Sequence, residues 1–216
     1  MENLMINNAL AIKFWKQRAQ NVIDPKVVKV NSCNDFTSYD VNFILKFVCS
    51  KTTLLDIASG TGMTINKLYD KVLKIVAVEK FSQFTKEIIQ SPNIEIYNED
   101  ILTFAIDEKF DLITMFGIVQ YFNEEEVKNI YEKYYNYLLP SGHLIIKSQF
   151  GLKETVTISG YSSEIKTDYY SQYRTLDLEV NMLRKVGFKN IVSYDIYPPE
   201  CNRWSNTHFY AIVAEK

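Results

Sequence analysis

The sequence predicts an α/β fold: a seven-stranded, mostly parallel, doubly wound sheet with an antiparallel last strand and a helical N-terminal extension. Three observations predict it. From Thr52 onward, apolar runs of strand length alternate with segments of helical period, the pattern of βαβ units and a parallel sheet. Near the end, the strand-like runs Lys189–Tyr197 and Thr207–Glu215 follow each other without a helix between them, so they are expected to pair antiparallel. Before Thr52 the pattern is helical only.

Each element has its own signal. Leu4, Ala11, Ile12, Trp15 and Ala19 recur at helical spacing, with Lys13, Lys16, Gln17 and Arg18 elsewhere on the wheel. Pro25, Asn31, Asn34 and Asp35 mark an irregular connection to a second helix, Ser38 to Cys49, whose Tyr39, Phe43 and Phe47 face inward. Thr53–Ala58 reads as a buried strand, followed by a Gly-containing turn and a helix from Met63 to Lys71. Leu73–Glu79 is the second strand, and the helix after it, Ser82 to Gln90, is ended by Pro92. Ile94–Tyr97, Phe110–Phe116 and His143–Phe150 are the third, fourth and fifth strands. A long helix from Glu124 to Leu138 precedes the fifth and is broken by Pro140-Ser141-Gly142. Gly151 to Arg174 is polar and Tyr-rich; Leu176–Val186 is a helix stopped by Gly187. The expected organisation is a helical cap over 1–51 and one domain over 52–216, with a Tyr-rich lid near 151–175.

Composition narrows the function. At 216 residues and 47% hydrophobic, the chain has material for one large core, and disorder is excluded as its main state. Its 24 basic side chains, only four of them Arg, balance 26 acidic ones to a formal charge of −2, so no nucleic-acid footprint is visible. Cys33, Cys49 and Cys201 are odd in number and form no CxxC pair, which reads as free thiols in a reducing cytoplasm. The first residues lack a signal-peptide pattern and no run of about 18 apolar residues exists, so a soluble protein away from membranes is expected. Two distant histidines and no carboxylate cluster make a poor metal-ligand set.

The sharpest motif is Leu54-Leu55-Asp56-Ile57-Ala58-Ser59-Gly60-Thr61-Gly62, at a strand end and opening a helix. Two glycines permit a tight turn and close approach of backbone to a ligand. A helix start beyond them offers free N–H groups to an anionic group. Glu79 ends the second strand, where an acid grips a ribose diol in doubly wound folds. A dinucleotide fingerprint, G-x-G-x-x-G/A, would put its third small residue on Ile65, a poor substitute. The order D-x-x-x-G-x-G with a later acid instead resembles the class I S-adenosylmethionine (SAM) methyltransferases. Asn98-Glu99-Asp100-Ile101 after the third strand, Phe110-Asp111-Leu112-Ile113-Thr114-Met115-Phe116 as the fourth, and Leu138-Leu139-Pro140-Ser141-Gly142-His143-Leu144 before the fifth extend the resemblance to residues 52 to 216.

That resemblance implies S-adenosyl-L-methionine as cofactor and assigns roles. Ser59, Gly60 and Gly62 line its methionine part, and Asp56 orients the turn and meets the amino group. Glu79 holds the ribose hydroxyls, with Lys80 beside it; Asp100 and Ile101 meet the adenine; Phe116 borders the site. The alternative readings are a turn stabiliser for Asp56, a surface acid for Glu79 and a loop cap for Asp100. For catalysis, His208 starts the last strand at the active edge and is the candidate base, against a structural histidine. His143, at the opposite edge, reads as structural. Tyr121 orders the nucleophile or packs in the core. Gln120, Tyr161, Tyr170 and Arg203 are the candidate acceptor contacts; Lys147 and Gln149 approach the end of the fifth strand with opposite facing. The chain looks similar to small bacterial enzymes that methylate sugars, nucleotide-linked intermediates or surface-polysaccharide (capsule) precursors. The expected partner is a small-molecule acceptor, and the expected assembly a monomer or homodimer. A catalytically silent SAM-binding module and a nicotinamide-dependent oxidoreductase are the competing readings.

Overall fold

A computed structural model describes residues 8–21, 36–162, 167–198, 201 and 204–216. Its strands are β1 (Thr53–Ile57), β2 (Lys74–Val78), β3 (Ile94–Tyr97), β4 (Phe110–Phe116), β5 (Leu138–Gly151), β6 (Val156–Ser162), β7 (Thr167–Tyr173), β8 (Lys189–Tyr194) and β9 (Thr207–Glu215). Its helices are α1 (Asn8–Asn21), α2 (Thr37–Ile44), α3 (Ile65–Leu68), α4 (Ser82–Thr85), α5 (Glu124–Tyr137) and α6 (Leu176–Val186). Seven strands form one sheet in the order β3-β2-β1-β4-β5-β9-β8, and β9 alone runs against the others, as expected.

The central strands are apolar throughout because both faces are covered. Leu55, Ile57, Val76, Val78, Ile113 and Met115 face α5 and α1, where Val127, Ile130, Ala11 and Phe14 meet them. Leu54, Ile75, Ala77, Leu112 and Ile145 face Val41, Phe43 and Ile44 of α2 and Ile65 and Leu68 of α3. The chain moves outward from β1 to β3 and then returns to β4 on the other side of β1. The reversal opens a crevice over the carboxyl ends of β1 and β4, where ligands of such sheets bind.

Helix termination follows local chemistry. Asn123 and Glu126 form a reciprocal capping box that starts α5. Thr175 caps α6, and Gly187, at φ 119°, ends it. Two expected helices are much shorter than their apolar pattern implied. Asn66 donates to the Glu87 carbonyl (2.8 Å) and accepts from the Ile89 N–H (2.8 Å), while Asn93 donates to the Tyr69 carbonyl (2.7 Å). These amides take the backbone groups that longer helices would use, and so lace the two connections together. The polar, Tyr-rich stretch, to which the sequence assigned no strand, forms an antiparallel pair, β6–β7. Cys49 is an exposed free thiol and Cys201 is buried; Cys33 lies outside the described residues, as does the Leu4 end of the first helix.

Candidate active site

The turn after β1 is held in an unusual backbone path. Ala58, Gly60 and Gly62 all have positive φ (59°, 55° and 70°). A side chain at φ > 0 costs about 1 kcal/mol or more, so the strain at Ala58 must be offset by its surroundings. The Ser59 N–H donates to the Val78 carbonyl (3.1 Å) and the Ser59 hydroxyl to the Asp56 carbonyl (2.9 Å), tying the turn to both strands. A Cβ on Gly60 would meet nothing within 4 Å, whereas one on Gly62 would lie 2.4 Å from Ile88 Cγ1. Gly60 therefore borders open space, and Gly62 allows the turn to pack on the next connection. Since α3 has four residues, no helix dipole acts here, and the N–H groups of Ser59, Gly60 and Gly62 are used by Val78, Glu79 and Ser59 to hold the turn.

Acidic side chains surround this turn. Asp56 lies in register with Thr114, whose hydroxyl donates to Asp56 Oδ1 (2.5 Å); burial pushes the Asp56 carboxyl up to about 6. Glu79, just past β2, accepts the Gly60 N–H on Oε2 (3.0 Å) and the Phe81 N–H on Oε1 (2.9 Å). Burial raises its carboxyl above the ordinary value, and these two N–H donors oppose the rise. Each Glu79 oxygen keeps lone-pair capacity for a ligand donor. Asn98 donates to the Glu79 carbonyl (3.1 Å) and holds the strand end. Lys80 Nζ lies 2.5 Å from Asp100 Oδ2, while Asp100 Oδ1 accepts the Leu102 N–H (2.9 Å).

These groups open into one cavity of about 310 Å³. Its floor is the Asp56–Thr61 turn, Glu79, Asp100, Ile101 and Phe116; Ala11, Ile12 and Trp15 of α1 cover one side. Phe36, Asp40, Lys147, Tyr197 and Phe209 form the other end. Among the described residues no group of three or more His, Cys, Asp or Glu is arranged to hold a metal ion.

The whole architecture matches solved methyltransferases. Residues 54–142 match the sequence profile of a family described as "Methyltransferase domain". The "DhpI-SAH complex structure" superposes with a TM-score of 0.73 at 12% identity, covering 96% of this chain and 97% of that one. Phosphoethanolamine N-methyltransferase 1 of Haemonchus contortus, in complex with phosphoethanolamine and S-adenosylhomocysteine, gives 0.76 at 17% identity over 97% of this chain and 49% of that one. The N-methyltransferase NodS of Bradyrhizobium japonicum WM9, in complex with S-adenosyl-L-homocysteine (SAH), gives 0.66 at 14% over 97% and 99%. The fold is the class I methyltransferase fold. No curated protein matches the chain by sequence.

Within this class I fold, the cavity gathers Asp56, Ser59, Gly60, Glu79, Lys80, Asp100, Ile101, Phe116 and Tyr121. Gly62 stands behind the turn against Ile88. Four other expected residues lie elsewhere. His208 does not line the cavity; its Nε2 is 2.8 Å from Asp195 Oδ1 and its ring packs on Tyr210. Residues on β9 alternate faces, so Phe209 takes the cavity side instead. Gln120 is folded back, donating to the Gly117 carbonyl (2.8 Å) and accepting from Ser148 (3.2 Å). Tyr161 is 70% exposed on β6, and Tyr170 is buried near Arg174 and Glu126. Arg203 lies outside the described residues. Lys147 and Gln149 share a sheet face, contrary to expectation, since residues two apart on a strand point the same way; Lys147 reaches Asp40 and Gln149 reaches Thr207.

Sequence reasoning missed Asp40 and Tyr197. Asp40 is 2% exposed on α2, accepting from the Tyr197 hydroxyl on Oδ1 and from Lys147 Nζ on Oδ2 (3.3 Å). A single acid within an apolar helical pattern carries no signal of its inward direction.

Proposed function

We propose that the protein is a SAM-dependent methyltransferase that moves a methyl group to an oxygen or nitrogen of a small polar metabolite. The observation that carries this reading is Glu79. A carboxylate at the end of β2 is buried, tied to the Gly60 turn, and still has acceptor capacity facing a cavity. The residues present fit the cofactor: Gly60 leaves side-chain space vacant, and the surrounding acids match a ligand rich in hydroxyls and carrying positive charge.

In this reading Glu79 holds the ribose hydroxyls, Asp56 faces the amino group, and Asp100 with the Ile101 backbone meets the adenine. Lys133 and Tyr134 both donate to the Ile101 carbonyl (3.0 and 2.9 Å) and so fix that loop. When bound, S-adenosylmethionine would supply a methyl on a sulfonium, whose leaving thioether is neutral and needs no acid. The protein's contribution is then alignment and water exclusion by Trp15, Phe116 and Tyr121. Burial pushes the Tyr121 hydroxyl up to about 12, so it stays protonated at neutral pH and orients the nucleophile by hydrogen bonding. His208 is not part of this reading. An acceptor amine that arrives neutral needs no base, and N-methyltransferases among the similar structures agree with that possibility. A sugar or a neutral sugar-like surface-polysaccharide precursor is the acceptor class we propose, in a soluble cytoplasmic setting; a nucleotide-linked acceptor, expected from sequence, does not suit a cavity lined mainly by carboxylates.

Replacing Glu79 with Ala tests the assignment. SAM and SAH affinity, by calorimetry, should both fall by about tenfold or more, because both carry the ribose. Unchanged affinity for either would remove Glu79 from the site.

A further inference from the structure

We propose that Lys147 and Asp40 form the acceptor end of the cavity and recognise adjacent hydroxyls of a neutral polyhydroxylated ring. The inference rests on the cofactor reading above, which assigns the other end of the same cavity.

Lys147 is fixed where transfer would occur. It pairs in register with Phe116, the last residue of β4, and its carbonyl accepts the Gly117 N–H (2.8 Å). Its ammonium lies 3.3 Å from Asp40 Oδ2 and stands over the rings of Phe116 (5.1 Å) and Tyr197 (5.5 Å). An ammonium has three N–H donors, and the described hydrogen bond uses one. Each Asp40 oxygen accepts one described bond, from Tyr197 or from Lys147, and keeps further acceptor capacity. Donor and acceptor thus sit side by side. One hydroxyl of an adjacent pair donates to Asp40 while its neighbour accepts from Lys147, with both bonds strengthened by charge.

The walls suit the same ligand. Phe36 and Tyr197 stack with ring centroids 4.6 Å apart, and Phe209 packs 5.4 Å from Tyr197. These mutually packed rings give that end an apolar wall for the C–H groups of a sugar-like ring while its hydroxyls find polar partners. Net charge selects neutrality. Among the described lining residues, Asp40, Asp56, Glu79 and Asp100 face only Lys80 and Lys147, so an anion is repelled. An ammonium ligand would have to displace Lys147 from Asp40.

The test is saturation-transfer NMR on the full chain loaded with SAH. The probes are methyl α-glucoside and myo-inositol as neutral polyols, phosphoethanolamine and glucose 6-phosphate as anions, and tyramine as an amine. At least one polyol should receive saturation, the anions and tyramine should not, and Lys147→Met should weaken the polyol about tenfold with SAH affinity unchanged. Lys147→Met is preferred to an Asp40 variant because Tyr197 still donates to Asp40, and unchanged SAH affinity reports that the variant is folded. Binding of the anions or tyramine alone, polyol binding indifferent to Lys147→Met, or silence from both polyols overturns the proposal while leaving the cofactor reading intact. Failure of SAH itself to bind takes down both.

Discussion

Asp56 lies one residue before the end of an apolar strand, and that placement sets opposing demands. Burial raises its carboxyl to about 6 from an ordinary value of 3.8. Below about pH 4 the folded and unfolded chains both hold the proton, so the group is neutral toward stability. Between about pH 4 and 6 the unfolded chain releases it first, and stability falls as pH rises. Above that window the full cost of about 3 kcal/mol applies. Asp56→Asn should therefore raise stability by about 2 kcal/mol at neutral pH, with the gain vanishing near pH 4, in urea titrations at both pH values. The same variant should lose SAH affinity; a variant destabilised at neutral pH would contradict the burial argument. Glu79 was legible in the sequence because a carboxylate that closes an apolar strand is conspicuous, and Asp56 because it stands four residues before Gly60 in the glycine-containing turn motif. Asp40 was not, since its partner Tyr197 lies 157 residues away and only folding joins them.

At the level of elements, the turn carrying Gln120 and Tyr121 depends on a buried ion pair. Arg174 donates to Glu179 Oε2 (2.7 Å) and to the carbonyls of Phe122 (2.8 Å) and Val119 (2.9 Å), while Tyr131 donates to Glu179. One guanidinium thus joins β7, α6 and the 3₁₀ turn Val119–Tyr121 beside the cavity. Arg174→Met leaves Glu179 buried without its cation and should cost about 3–5 kcal/mol in denaturant unfolding. The double variant Arg174→Met, Glu179→Leu should recover much of that loss; no recovery would mean that the carbonyl contacts dominate. None of this was visible in the sequence, where Arg174 simply closed a polar stretch. The β6–β7 hairpin was hidden for a related reason. Its Ser, Thr and Gly content reads as a connection, and its buried Tyr169 packs against Phe14 of a helix far earlier in the chain. The shortened α3 and α4 depend on Asn66 and Asn93, whose side-chain amides outweigh an apolar pattern that pointed to longer helices.

For the whole molecule, the alternation of strand and helix from Thr52 was enough to predict the parallel sheet and the crevice above β1 and β4, and the missing helix between the last two strands predicted the reversed β9. Local sequence pattern, in the Asp56–Gly62 motif and the acid at Glu79, pointed to the half of the cavity that we propose for the cofactor. It is silent on long-range side-chain pairing, which builds the proposed acceptor half from α2, β5, β9 and the residues after β8. The near-neutral charge takes on a local meaning as well. Carboxylates outnumber lysines among the described residues around the cavity, which favours a cationic cofactor over a dinucleotide pyrophosphate. Calorimetric titration of the unmodified protein with SAH and with NAD separates the two most directly. The account predicts saturable one-to-one binding of SAH and none of NAD; tight NAD binding without SAH binding would contradict it.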